Sequence, residues 1–61
     1  MRLITALAAL PARRREVLVL RYWLGLTDTE IAEVLGISRP TVSSTAARAL
    51  AALARNLGEE S

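Results

Sequence analysis

Residues 25–50 read GLTDTEIAEVLGISRPTVSSTAARAL, and this stretch decides the fold. Thr27 followed three residues later by Glu30 is a capping box, in which each side chain satisfies the other residue's backbone N–H. Ile31, Val34 and Leu35 then repeat at helical spacing, and Gly36 supplies a left-handed residue that ends the helix. Ile37 plugs the turn. Ser38 or Arg39 opens a second helix whose core side is expected to hold Val42, Ala46, Ala49, Leu50, Leu53 and Leu57. Ala32 is small where the two helices would cross, so their backbones can approach closely. A small residue, a glycine four later and an apolar residue six beyond that is helix-turn-helix spacing.

The composition around that stretch supports an all-α fold, a small bundle of about four helices. The chain has 61 residues, 52% of them hydrophobic, and no Phe. A domain of this size buries only about 60% of the surface it exposes when unfolded, so its core must come from Leu, Ala, Val and Ile. Ala and Leu are strong helix formers, and strand-like runs are nearly missing. With no Cys there is no disulfide and no thiolate metal site, and with no His the usual general base is lacking. The net charge is a modest +2, but every cation is Arg, the better residue for bidentate contacts to phosphate and guanine. No apolar run approaches membrane-spanning length. The opening MRLITALAALPA imitates a short signal peptide, but Thr5 interrupts the run and an Arg triplet follows at once. A cytoplasmic protein is therefore expected.

Upstream of the central stretch, Leu3, Leu7 and Leu10 recur at i, i+4 and i+7 with Ile4 beside them, predicting an amphipathic helix over about residues 2–9. Pro11 suits the first turn of the next helix. That helix is predicted over about residues 12–24, with Val17, Leu20 and Leu24 on its inner face and Leu18 and Tyr22 flanking. Gly25 closes it, and Leu26 folds back on the last turn as in a Schellman motif. Arg13, Arg14 and Arg15 fan over about 200°, at about 100° per residue, and read as a solvated charged end. Arg21, at the edge of the core, is expected to pair with Glu30 or Glu33. The third and fourth helices are predicted over about residues 28–35 and 39–57, with Gly58, Glu59, Glu60 and Ser61 as a frayed acidic tail. One domain, residues 1–61, accounts for the chain.

Opposite the apolar side of the last helix, geometry places Pro40, Ser44, Ala47, Arg48, Ala51 and Arg55, with Ser43 at the margin. The N-terminal part of this face is small, hydroxylated and singly charged, and so fits a major groove. Pro40 loses no hydrogen bond in a first turn, but it biases Arg39 away from helical angles, so a helix start one residue later than Ser38 suggests is expected.

With these residues in view, the segment LPARRREVLVLRYWLGLTDTEIAEVLGISRPTVSSTAARALAAL resembles region 4 of bacterial RNA polymerase sigma factors, closest to the extracytoplasmic-function group of actinobacteria. The resemblance implies a helical domain that reads the upstream (minus-35) promoter element in the major groove. It also implies docking on core RNA polymerase, chiefly the flap of the β subunit, and masking by an anti-sigma factor. The family's base- and phosphate-contacting positions fall on Ser43, Ser44, Ala47 and Arg48. Thr27, Asp28 and Thr29 would meet a phosphate through backbone N–H groups at a helix N-terminus. With Arg39 and Thr41 at the start of the last helix, the expected DNA-binding set is Thr27, Thr29, Arg39, Thr41, Ser43, Ser44, Ala47 and Arg48. Where the family has Gly and then Thr-Val-Lys or Thr-Val-Arg, this chain has Pro40, Thr41, Val42 and Ser43, so one basic contact is missing. Region 2, which melts promoters in the family, has no counterpart in these residues.

Two other readings compete. A LuxR-type effector domain shares the REVL, GLT, EIA and LGIS pattern and would dimerise through its last helix, whereas the sigma reading expects a monomer. Alternatively, the chain is an interaction module for polymerase or an anti-sigma partner, with little DNA affinity of its own. Catalysis has little room. Asp28, Glu30 and Glu33 are explained by helical spacing and capping, and Ser38, Ser43 and Ser44 have no base to activate them. Neither an enzyme, nor a cofactor, nor a metal is expected.

Overall fold

The computed structural model describes residues 2–58 and contains, among them, four α-helices and a π-helical segment. Helix α1 is Leu3–Ala8, α2 is Ala12–Leu18, the π segment is Val19–Trp23, α3 is Asp28–Leu35 and α4 is Arg39–Gly58. Pro11 stands at the N-cap of α2 with extended ψ, one residue ahead of the first turn where it was expected. The Ala8 carbonyl at the end of α1 and the Leu10 carbonyl just beyond it both accept from Arg15 Nη1 at 3.3 Å. One member of the Arg triplet is thus structural, while Arg13 is exposed.

Past Leu18 the winding loosens. The N–H of Leu24 donates to Val19 O at 3.1 Å, five residues back, and that of Leu26 to Leu20 O at 3.0 Å, six back. Gly25 has φ 70 and reverses the chain, so the expected Schellman-like closure is present but one residue wider. The extra residue in the turn rotates Leu24 out of register. Instead of lying under Val17 and Leu20, it is 66% exposed, and Leu18, expected at the flank, is fully buried. Tyr22 is also exposed.

Helix α4 is the spine. Its length of 20 residues gives about 30 Å, and it carries two apolar clusters in succession. Near its N-terminal half, Val42 and Ala46 pack with Val17 and Ile31, closed by Leu20, Leu26, Ala32, Leu35 and Ile37. Near its C-terminal half, Ala49 and Ala52 pack with Leu10 and Leu18, joined by Leu7 and Leu53. Asn56 Nδ2 donates to Ala6 O at 3.1 Å and ties α1 to the far end of the spine.

The buried stripe is centred differently from the one the periodicity suggested. Ala52 lies about 80° to one side of Val42 and Leu50 about 80° to the other, at about 100° per residue. Leu10 and Leu18 cover the Ala52 side, so Ala52 is buried while Leu50 and Leu57 are exposed. A similar shift occurs around α1, where Ala6 and, just beyond the helix, Leu10 are buried while Leu3 and Ile4 face outward. Val34 is exposed as well. Gly58 is the last residue of α4 rather than the start of a tail, and Glu59, Glu60 and Ser61 lie outside the described residues. No helix among the described residues is long and apolar enough to cross a membrane.

Candidate nucleic-acid interface

The turn that presents α4 is fixed at both ends by local chemistry. Thr27 Oγ1 accepts from the N–H of Glu30 at 3.1 Å, and the N–H of Thr27 donates to Glu30 Oε1 at 2.9 Å, completing the capping box. The bond from the Thr27 N–H, aided by the Thr27 hydroxyl, holds the Glu30 carboxyl below its ordinary range. At the other end Gly36 has φ 69, and the N–H of Ile37 reaches Ala32 O at 3.1 Å, a Schellman closure. Ser38 then caps α4: its Oγ accepts from the N–H of Thr41 at 3.2 Å and lies 2.7 Å from Thr41 Oγ1. Helix α4 begins one residue after Ser38, as expected, with Pro40 inside its first turn. No intrahelical partner for the Pro40 nitrogen is needed there, and Arg39 begins α4.

Arg39, Pro40, Thr41, Ser43, Ser44, Ala47 and Arg48 are all exposed, as are Ala51 and Arg55 farther along. Arg39, Ser43 and Ala47 form one line at i, i+4, i+8, and Pro40, Ser44 and Arg48 form the line beside it. Small side chains therefore separate Arg39 from Arg48 over the first turns of the helix. Ser44 Oγ donates to Thr41 O at 3.2 Å, so Ser44 is folded back on its own helix. The same holds for Thr41, whose hydroxyl meets Ser38.

Two expected contacts are placed differently. Thr27 was to offer a backbone N–H to a phosphate, but Glu30 already takes it. Arg21 was to pair with Glu30 or Glu33, yet its Nη1 lies 3.3 Å from Asp28 Oδ1. Glu30 is committed to the cap, and Asp28 in the first turn of α3 is where the widened turn delivers the guanidinium. Asp28 also accepts from Ser43 Oγ at 2.9 Å through its other oxygen, Oδ2. One carboxylate thus joins the π segment, α3 and α4. An open cleft runs along this junction, lined by Arg21, Leu26, Thr27, Asp28, Thr29, Arg39 and Ser43. Six of the eight residues expected to touch DNA lie in this cleft or immediately beside it on α4. Ala47 and Arg48 continue the face one turn on.

The role of Asp28 as the link between Arg21 and Ser43 is what the sequence did not show. The available signal was its place in the first helical turn, with an Arg seven residues before it and a Ser fifteen after it. The three lie on separate elements, so only the tertiary fold brings them together.

Comparison with known proteins completes the picture. The family model for sigma-70 region 4 matches residues 1–53. The chain belongs to this family. This region 4 domain is 53% identical over 47 residues to RNA polymerase sigma factor SigF of Mycobacterium tuberculosis, covering 77% of the chain and 18% of that protein. It is 44% identical over 55 residues to the RNA polymerase sigma-E factor of Streptomyces antibioticus, covering 90% of the chain and 31% of that protein. The sigma-E factor of Streptomyces coelicolor aligns to the same extent. The chain spans less than a third of the length of these relatives. The LuxR-type reading is set aside by this match.

Proposed function

We propose that this region 4 domain binds promoter DNA, laying the first turns of α4 in the major groove over the upstream (minus-35) element. The observation that carries the reading is the exposed face running from Arg39 through Ser43 and Ser44 to Ala47 and Arg48, held out by a capped turn. In this reading small side chains admit the helix to the groove, and the exposed Arg48 bonds a guanine or a phosphate. Thr27 and Thr29 flank the cleft at the start of α3, and Arg39 and Thr41 stand at the start of α4. In this reading residues 1–61 act as one monomeric, cytoplasmic, non-enzymatic module. It uses no cofactor and docks on the β flap of core RNA polymerase, with an anti-sigma factor as the natural antagonist.

Arg48→Ala tests the pose. It should cost about 1–3 kcal/mol on a selected site if the contact is bidentate to a base, and less on random duplex. Arg55→Ala, two turns on, should cost less on either. Equal losses for both variants on both DNAs, read by fluorescence anisotropy, would reduce Arg48 to a general electrostatic contact.

The interaction-module reading has two observations in its favour. Tyr22, Trp23 and Leu24 are exposed together at the end of the π segment, and Ser43 is engaged by Asp28. Retention on the polymerase flap with no gel shift on any duplex would favour it.

A further inference from the structure

We infer that Asp28 is an internal competitor for the DNA backbone: it holds Arg21 and Ser43 in the free domain and sets how strongly the interface grips phosphate. The inference rests on the DNA-binding reading and extends it to Arg21 and Asp28, to which that reading gives no role. Both carboxylate oxygens are committed, Oδ1 to Arg21 Nη1 at 3.3 Å and Oδ2 to Ser43 Oγ at 2.9 Å. A phosphate offers the same partners the same chemistry, anionic oxygens that accept from a guanidinium and a hydroxyl. The exchange is reachable from solvent, since the side chains of Arg21 and Asp28 are 36% and 23% exposed and line the cleft with Thr29 and Arg39.

Three consequences follow from the geometry. Arg21 is a cation at the interface whose charge is offset while Asp28 is ionised. Ser43 donates its single hydroxyl proton inward, so it has none for a phosphate in that state. The carboxylate itself repels an approaching phosphate across a short, partly desolvated distance. Together these lower the phosphate affinity of the free face and make sequence-independent binding weak. Base contacts such as that of Arg48 then contribute a larger share of the total, so Asp28 favours selectivity over grip.

The probe is a random-sequence 20-base-pair duplex, followed by anisotropy across a salt series, with thermal melts as the folding control. Asp28→Asn removes the charge and keeps an acceptor for Ser43. Relative to the parent, it should bind several-fold more tightly at about 50 mM salt. Its log-affinity against log-salt slope should steepen by about 0.9, the counterion release of one added phosphate contact. Adding Arg21→Gln should abolish the steepening. A merely structural tie would change the melt and leave the slope alone. Asp28→Ala, which puts the best helix former in the first turn of α3, serves as the second charge-free variant and should steepen the slope equally. A parent that binds the duplex alongside charge-free variants of equal or weaker affinity and unchanged slope overturns the inference. Absence of binding by parent and variants alike overturns the DNA-binding reading and the inference together.

Discussion

Thr27 and Glu30 close a reciprocal pair of bonds at 3.1 and 2.9 Å, and this pair fixes where α3 begins. Removing the hydroxyl in Thr27→Ala should destabilise the domain by about 1 kcal/mol, the usual worth of an N-cap. The same pair makes stability depend on pH. Glu30 is held below its ordinary value of 4.5 in the folded state, so its contribution is present above that value and fades as the pH falls through the folded one. Between pH 6 and pH 3 the parent melting temperature should therefore fall more steeply than that of Glu30→Gln, which keeps the acceptor without the charge. Parallel curves, or coincident melts for parent and Thr27→Ala, would mean that the pair does not carry the cap. The box was legible because its residues are three apart in sequence. The Arg21, Asp28 and Ser43 junction was not, because its members lie on three separate elements that only the fold brings together.

At the scale of elements, the turn between α3 and α4 is held by the Gly36 closure and the Ser38 cap. A Cβ added at Gly36 would meet nothing within 4 Å, so any cost of Gly36→Ala comes from its φ of 69 alone. The left-handed conformation disfavours Ala by about 1–2 kcal/mol, partly offset by a less flexible unfolded chain. A net loss of about 1 kcal/mol in chemical denaturation is expected, and an unchanged midpoint would show that the turn relaxes. The bounds of α1, α3 and α4 were legible from apolar spacing and caps to within one residue, whereas the single helix expected over residues 12–24 divides into α2 and the π segment. What spacing could not show was the π segment, since one extra residue in a turn leaves composition and caps untouched. From that single widening come the exposure of Leu24 and the delivery of Arg21 to Asp28. The swap of Ala52 for Leu50 in the core has a different source. Both flank the stripe at equal angles, and the choice rests on which side α1 and α2 cover.

As a whole the domain divides its labour along α4. The C-terminal half is held by Leu10 and Leu18, and the N-terminal half is held by Val17 and Ile31 while its opposite face stays open. The core is small and largely Ala against Leu and Val, so rigidity at the reading face depends on short-range devices: the capping box, the Gly36 closure and the Ser38 cap. The family was legible from the segment surrounding that turn, and the face of α4 from helical geometry. The central claim is that this face reads duplex DNA by sequence. The most direct test is selection of duplexes by the purified domain from a randomised pool, with Arg48→Ala run in parallel. The parent should enrich one short motif containing a guanine, and the variant should lose preference at that guanine while retaining the rest. Recovery of no motif by the parent, or of the same motif at the same strength by both proteins, would contradict it.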